Sequence, residues 1–284
     1  MKIAILGVGL IGGSIGLAAR RRVGARVCGY DPDPRACAAA LDLGAIDEQA
    51  PDIAAAVAGA QVVFAAAPVG VLAETVRNAL EHAGDDCVVS DVGSIKLALE
   101  EARRDPRFIG GHPLAGSHTA GVEHARDDLF EEATWYLCPA DNIPQDLYAR
   151  LQDLIVRLGA EPIPIDADMH DRLMATVSQL PHVLANVLVA QLQAARREDV
   201  QPAPPRTLGV GRSFRDATRV AGSNSAIWTD IYLANRDALI AAIGDLTDRL
   251  AVVSRALAEA DASALREWNE SARADRETLL RPDS

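Results

Sequence analysis

The first twelve residues combine a short β-type run with a glycine-rich segment, and this pairing restricts the possible folds more than any other feature. Residues 3–6 (Ile-Ala-Ile-Leu) form the run, and residues 7–12 (Gly-Val-Gly-Leu-Ile-Gly) fit the pattern G-x-G-x-x-G. The first glycine permits a tight turn, the second lets the backbone approach a pyrophosphate, and the third brings a helix against the strand. The helix N-terminus presents partial positive charge to the phosphates. The motif therefore predicts a βαβ unit that binds a dinucleotide.

The alternation of apolar runs and helical stretches continues to about residue 165. The runs lie at 3–6, 26–30, 61–66, 87–90, 107–110, 134–138 and 161–165. This rhythm is typical of an α/β fold in which helices cover a mostly parallel sheet. We predict a Rossmann-type dinucleotide-binding domain over residues 1–165.

The rhythm stops after this point. Residues 168–197 form one long apolar stretch of helical period, and further helical stretches cover roughly 226–258 and 261–280. Prolines and aspartates cluster near 163–168, which is typical of a domain boundary. We predict an all-helical second domain over residues 166–284.

Composition and charge exclude several classes of protein. The net charge is −12, with 28 Lys and Arg against 40 Asp and Glu, whereas a nucleic-acid binder needs a basic face. No run approaches the ~18 apolar residues of a membrane span, and the N-terminus lacks the features of a signal peptide. The four cysteines have no metal-ligand spacing. We expect a cytoplasmic protein with reduced thiols, no metal site, and no nucleic-acid or membrane partner.

An acidic residue follows the glycine motif at the spacing expected for a ribose contact. Asp31 ends the second β-type run about twenty residues after the motif. Its carboxylate can accept hydrogen bonds from ribose hydroxyls and repels a 2′-phosphate, so the sequence favours NAD over NADP. Pro68 follows a strand end of small residues that either lines the nicotinamide pocket or forms a plain turn. The predicted cofactor residues are Gly7, Gly9, Leu10, Ile11, Gly12, Asp31 and Pro68.

Polar residues interrupt the apolar chain in three segments, at 90–96, 110–117 and 178–182. The first two follow predicted strands, and open α/β sheets place their ligands at the carboxyl ends of strands. His112 could serve as the base that takes a hydroxyl proton as a hydride leaves, or it could be an ordinary loop histidine. Ser94 could bond the substrate or the imidazole, or cap a helix that begins at Ile95.

Five ordered motifs together resemble the prephenate and arogenate dehydrogenase family. They are residues 7–14 (Gly-Val-Gly-Leu-Ile-Gly-Gly-Ser), 91–96 (Asp-Val-Gly-Ser-Ile-Lys), 110–117 (Gly-Gly-His-Pro-Leu-Ala-Gly-Ser), 178–182 (Ser-Gln-Leu-Pro-His) and 214–219 (Phe-Arg-Asp-Ala-Thr-Arg). The resemblance implies NAD-dependent oxidative decarboxylation of prephenate, a cyclohexadiene dicarboxylate, in tyrosine biosynthesis. It also implies a helical domain that binds substrate and forms a homodimer.

The resemblance assigns roles to individual residues. His112 resembles the family's catalytic histidine, and Ser94 resembles its partner serine. Arg219 resembles an arginine that binds a substrate carboxylate, and a guanidinium suits that task because it can donate two charge-assisted hydrogen bonds. The other residues predicted to bind substrate are His182, Ser117, His118, Gln179 and Trp228.

Two departures from the family leave the substrate open. His118 stands where many members that use prephenate carry glutamate, and Gln179 often corresponds to histidine. Arogenate and 4-amino-4-deoxyprephenate therefore remain alternatives. A β-hydroxyacid dehydrogenase is disfavoured because its catalytic lysine lies in the helical domain, and this chain has no lysine after Lys96. An imine reductase would not explain His112 together with Arg219, and a non-catalytic NAD-binding module remains a third class.

Overall fold

The computed structural model describes residues 1–115, 119, 121–198 and 210–280. Within these residues, eight strands form one sheet in the order β3-β2-β1-β4-β5-β6-β7-β8. The strands are β1 Lys2–Leu6, β2 Arg26–Tyr30, β3 Glu48–Gln49, β4 Val62–Ala65, β5 Val88–Asp91, β6 Phe108–Pro113, β7 Thr134–Cys138 and β8 Glu161–Pro164. All neighbours are parallel except β6 and β7. The predicted Rossmann-type sheet is confirmed, and the sequence missed only β3, which has no apolar run.

In the described part of the first half, five α-helices accompany the strands: α1 Leu10–Ala18, α2 Pro34–Leu43, α3 Ile53–Val57, α4 Val69–His82 and α5 Gln145–Leu158. Two buried clusters form the core. Ile3 and Ile5 belong to one cluster, and Ala4 and Leu6 of the same strand belong to the other. Side chains of a strand point alternately to opposite faces. Both faces of β1 are therefore buried, which is why its sequence is a continuous apolar run.

The strand order reverses beside β1. The chain runs from β1 to β2 and β3 on one side and returns to β4 on the other side. Open α/β sheets bind ligands in the crevice at such a reversal, outside the carboxyl ends of the strands. The glycine motif follows β1 directly, so it lies at this crevice.

The described part of the second half is helical, as predicted. The helices are α6 Ala167–Met174, α7 Leu180–Glu198, α8 Arg212–Thr218, α9 Ser225–Ala234, α10 Arg236–Ala258 and α11 Ala262–Leu279. A π-helical turn, Ala175–Gln179, joins α6 to α7. The expectation of one helical stretch over 226–258 is wrong, because α9 ends at Ala234 and α10 begins at Arg236. The Asn235 side chain is buried and hydrogen-bonds to residues on the α6–α7 segment.

The helical stretch Ala167–Ala195 corrects another expectation. Its mean hydropathy reaches 1.4 over 18 residues, so among the described residues this one helix is long and apolar enough to cross a membrane by length and composition. Only 28% of that window is buried within the protein. The buried residues of the helix include Gln179 and His182, and Gln179 accepts a hydrogen bond from Asn235. Length and composition alone are weak evidence for a membrane span.

The chain forms two compact units, Met1–Arg236 and Asp237–Ser284. The first contains the sheet together with α6 to α9, because buried polar contacts join the α6–α7 segment to the strand ends. The second contains nearly all of α10 and the whole of α11. The secondary structure thus changes from α/β to all-helical near residue 165, whereas the boundary between the two compact units lies at residue 236. The division into domains 1–165 and 166–284 stays a prediction.

Candidate active site

The glycine motif adopts the geometry that its pattern predicts. Gly7 has a φ of +100°, and a Cβ there would lie 2.6 Å from the carbonyl oxygen of Ala66. A Cβ on Gly12 would overlap the carbonyl oxygen of Gly7, whereas a Cβ on Gly9 would have no atom within 4 Å. The first and third glycines are thus required by packing. The second borders open space, as a phosphate-binding loop needs.

The first turn of α1 is suited to an anion. Gly9 is the N-cap without a side-chain hydrogen bond, and the first turn contains no acidic residue. Leu10 and Ile11 are the first two helical residues, so their backbone N–H groups belong to those without a partner inside the helix. Pro68, the N-cap of α4, follows the adjacent strand β4. The first turn of α1 fits the pyrophosphate half of a dinucleotide, whereas a place for Pro68 at the nicotinamide half stays a prediction.

Asp31 lies at the end of β2 beside the glycine motif. Its Oδ2 accepts a hydrogen bond from the backbone N–H of Val8 at 3.0 Å, and its Oδ1 accepts one from Asp33 N–H at 2.9 Å. The nearest arginine in sequence, Arg35, pairs with the Asp33 carboxylate at 2.9 Å. A fixed carboxylate with a neutralised neighbouring base suits ribose hydroxyls better than a 2′-phosphate. The residues present therefore fit NAD.

His112 and Ser94 follow neighbouring strands at one edge of the sheet. His112 is half-buried near the end of β6, and Ser94 is half-buried three residues after β5. The structure makes no hydrogen bond between these two described side chains, so the role of Ser94 stays a prediction. The alternative of a helix cap at Ser94 is wrong. A short 3-10 helix begins at Leu97 with Lys96 as its N-cap.

A buried ion pair joins the two segments that carry Ser94 and His112. The Lys96 ammonium pairs with Asp91 and also donates to the carbonyl of Gly111 at 2.6 Å. Asp91 accepts from the N–H groups of Gly93 at 2.8 Å and Gly111 at 3.0 Å. Lys96 is 1% exposed and Asp91 0%, so each charge depends on the other for stabilisation. The pair fixes the backbone next to His112.

A second buried carboxylate connects this edge to α6. Asp171 accepts from the backbone N–H groups of Lys96 and Leu97, both at 2.8 Å. His170 Nδ1 lies 2.7 Å from Asp171 Oδ1, and His170 Nε2 lies 2.9 Å from His112 Nδ1. The predicted catalytic histidine is therefore in contact with a His-Asp pair 58 residues away in sequence.

The surroundings of His112 favour its neutral form. Burial lowers the pKa of its imidazole well below 6.5, and the positive charge of Lys96 lowers that pKa further. A histidine with a depressed pKa loses its proton at a lower pH than usual. His112 is therefore deprotonated at neutral pH, as a base must be.

The side chain of Gln179, which was predicted to bind substrate, forms a hydrogen bond inside the protein instead. Its side chain is 1% exposed, and its Oε1 accepts from Asn235 Nδ2 at 2.9 Å. The same Asn235 nitrogen donates to the backbone carbonyl of Asp171 at 2.8 Å. This geometry supports the packing of α6 against the end of α9 and leaves direct substrate binding by Gln179 a prediction.

His182 and Trp228 are brought together by α7 and α9. Their rings stack with centroids 3.7 Å apart and an interplanar angle of 5°. His182 Nδ1 also contacts the Tyr232 hydroxyl. Burial lowers the pKa of His182. Arg219 begins the short 3-10 helix Arg219–Gly222, which contacts α7, so three of the residues predicted to bind substrate lie on adjoining segments. Ser117 and His118 lie outside the described residues.

Four residues of this network were not predicted to belong to the site: Asp91, Lys96, His170 and Asp171. The sequence contained a signal for Asp91 and Lys96, because these two residues begin and end the motif at 91–96 and Lys96 is one of only two lysines in the chain. His170 and Asp171 had none, because they lie in a helix of ordinary composition. Among the described residues, no cluster of three or more His, Cys, Asp or Glu could hold a metal ion.

The fold and site together define a class: a dinucleotide-binding oxidoreductase with a helical second half. Residues 15–163 match the family described as prephenate dehydrogenase, nucleotide-binding domain, and residues 166–270 match prephenate dehydrogenase, dimerization domain. The chain therefore belongs to the prephenate dehydrogenase family.

Individual relatives agree with this assignment. The prephenate dehydrogenase of Bacillus subtilis is 35% identical over 248 residues, which cover 84% of this chain and 65% of that protein. The cyclohexadienyl dehydrogenase of Zymomonas mobilis is 33% identical, covering 93% of this chain and 91% of that protein. This chain thus spans slightly less than two thirds of the Bacillus relative and nearly all of the Zymomonas one.

Two solved structures share the whole architecture. Prephenate dehydrogenase from A. aeolicus, in complex with hydroxyphenyl propionate and NAD+, has a TM-score of 0.89 at 28% identity, covering 98% of both chains. Synechocystis arogenate dehydrogenase has a TM-score of 0.87 at 26% identity, covering 99% of this chain and 100% of that chain.

Proposed function

We propose that the chain is an NAD-dependent dehydrogenase that converts prephenate to 4-hydroxyphenylpyruvate and carbon dioxide in tyrosine biosynthesis. One observation carries the proposal: His112, whose pKa lies well below 6.5, is placed at the carboxyl edge of the sheet that also carries the glycine motif. A neutral imidazole at that place is a suitable base for oxidising an alcohol. Family membership and the relative solved with NAD+ support the same cofactor and reaction.

In the proposed reaction, His112 takes the proton from the C4 hydroxyl of the cyclohexadiene ring. Bound NAD supplies the acceptor for the hydride that leaves C4. The resulting dienone loses its C1 carboxylate as carbon dioxide, and the electron pair of the broken bond makes the ring aromatic and leaves a phenolate oxygen at C4. That oxygen takes back the proton held by His112. The glycine motif and Asp31 hold the cofactor, and the protein places the ring against it. Aromatisation drives the loss of carbon dioxide.

Arg219 is proposed to bind a carboxylate of the substrate beside the stacked His182 and Trp228. Replacement of Arg219 with glutamine should raise KM for prephenate about 10- to 100-fold, since hydrogen bonds to charged groups contribute roughly 1.5–3 kcal/mol. The change in kcat should be much smaller. Steady-state kinetics at saturating NAD measure both constants.

Arg215 and Arg212 lie in the same segment and could share the task of Arg219, so the control is Arg157, which is exposed on α5 outside the segments predicted to bind substrate. Arg157→Gln should leave KM within about threefold of wild type, a change of less than ~1 kcal/mol. Equal KM values for wild type and Arg219→Gln would contradict the assignment of Arg219.

The substrate is decided by comparing kcat/KM for prephenate, arogenate and 4-amino-4-deoxyprephenate, each with NAD and with NADP. We expect prephenate with NAD to give the highest value. A tenfold or greater preference for arogenate would replace the proposed substrate with that alternative, whose enzyme in Synechocystis shares this fold. Cofactor binding without turnover of any of the three would indicate a non-catalytic module.

We also propose a cytoplasmic homodimer formed through the helical half. The match to a dimerization domain over residues 166–270 supports it. Apolar side chains are exposed on α7, at Val187, Leu188 and Val189, and on α10, at Ile240 and Leu250. Exposed apolar surface of this kind marks a protein contact. Size-exclusion chromatography with light scattering should give twice the chain mass. A monomer at micromolar concentration would contradict the proposal.

A further inference from the structure

Three side chains form a continuous hydrogen-bonded series that ends at the proposed base. Asp171 Oδ1 contacts His170 Nδ1 at 2.7 Å, and His170 Nε2 contacts His112 Nδ1 at 2.9 Å. His170 is 0% exposed and Asp171 is buried. Only His112 reaches the half-buried environment at the end of β6. The series therefore runs from Asp171 in the protein interior, through His170, to His112 at the candidate active site.

The contacts of Asp171 fix the direction of the hydrogen bonds. A carboxylate only accepts, so the proton between Asp171 and His170 lies on His170 Nδ1. In a neutral imidazole the other nitrogen then carries the lone pair. His170 Nε2 consequently accepts, and the proton of the 2.9 Å contact belongs to His112 Nδ1. This leaves the lone pair of His112 on Nε2, the nitrogen that faces away from His170.

We infer that His170 and Asp171 are positioning residues that hold His112 in the tautomer whose Nε2 can accept the substrate proton. Asp171 is anchored by two backbone N–H groups at the start of the 3-10 helix, so it cannot turn away from His170. The His112 and His170 rings meet edge to face with centroids 5.1 Å apart, which also fixes the plane of His112. When His112 accepts a proton, the same series can stabilise the imidazolium. The kinetic consequence rests on the proposed function, whereas the tautomer does not.

The tautomer can be measured on the resting protein, without substrate. In ¹⁵N-histidine-labelled protein, two-bond ¹H–¹⁵N correlations distinguish Nδ1–H from Nε2–H rings, and the signals missing from His112→Asn identify His112. We expect His112 of the wild type to be protonated at Nδ1. In His170→Phe, which retains a ring but no acceptor, we expect a mixture or the Nε2–H form. Protonation of wild-type His112 at Nε2 would overturn the inference.

Steady-state kinetics test the effect of the tautomer on kcat with two variants of His170, one without a hydrogen-bond acceptor and one with an acceptor. His170→Phe removes the acceptor and should lower kcat roughly 100-fold, within the range for a positioned general base. KM for prephenate and Kd for NAD should stay within about threefold, a change of less than ~1 kcal/mol. His170→Gln offers a carbonyl oxygen to His112 Nδ1–H and should recover at least a tenth of the wild-type kcat. If His170 served folding alone, the carbonyl oxygen that His170→Gln offers to His112 would not restore kcat.

His82→Phe is the matched control, because His82 is an exposed histidine at the end of α4. It should retain the wild-type kcat. A His170→Phe variant with kcat within threefold of wild type would refute the inference while the proposed function stands. A wild type inert on prephenate and arogenate would instead remove the proposed function, and the tautomer measurement would still decide the inference.

Discussion

Replacing His112 with asparagine is expected to lower kcat by about 100- to 10,000-fold, the range for losing a positioned general base. The amide nitrogen of asparagine can still donate to His170 in place of His112 Nδ1, so the buried contacts should persist. What disappears is the second ring nitrogen, which accepts the hydroxyl proton. NADH appearance measures kcat, and calorimetric titration measures NAD affinity, which should stay within about threefold, less than ~1 kcal/mol.

The control for this prediction is His82→Asn, at an exposed site on the last turn of α4, which should keep the wild-type kcat. If His112→Asn retained more than a tenth of the wild-type kcat, another group would have to be the base. Parallel loss of NAD affinity and kcat would indicate a damaged fold, and it would contradict the claim that the asparagine side chain preserves the contact to His170.

Replacing Lys96 with methionine is expected to destabilise the protein by about 3–5 kcal/mol, the cost of leaving a buried charge without its partner. Methionine fills a similar volume, so the loss reflects the unpaired negative charge of Asp91 in a site that is 0% accessible to water. Urea denaturation measures the free energy of unfolding. The melting temperature should fall by roughly 6 to 20 °C, and kcat should fall as well, because Lys96 also holds Gly111 beside His112.

Lys2 is the natural control, as the only other lysine in the chain. It lies 3.8 Å from Glu48 at the surface, with 27% of its side chain exposed. Lys2→Met should therefore cost about 0–1 kcal/mol. The double variant Asp91→Asn with Lys96→Met should be more stable than Lys96→Met alone, since no unpaired charge remains. A single Lys96→Met variant within ~1 kcal/mol of wild type would show that water or a rearrangement satisfies Asp91.

Local patterns were sufficient for much of the architecture. The apolar runs of β1 and β4 predicted strands because a strand buried on both faces needs continuous apolar residues. The glycines at 7, 9 and 12 predicted the dinucleotide loop, because a tight turn, the approach of a pyrophosphate and helix–strand packing each favour glycine at those positions. These requirements act over a few neighbouring residues, so the local sequence is enough to show them. The same holds for His112, since a local motif was enough to predict it as the base.

Other features were decided only by packing between distant segments. The two-residue strand β3 has no apolar pattern, and its pairing with β2 depends on the neighbouring strand. The helix break at Asn235 reflects contacts to Asp171 and Gln179, which are 64 and 56 residues away in sequence. His170 and Asp171 acquire their relation to His112 only when α6 packs on the strand ends. Hydrogen bonds between side chains far apart in sequence depend on ångström-scale placement, and no local periodicity encodes that placement.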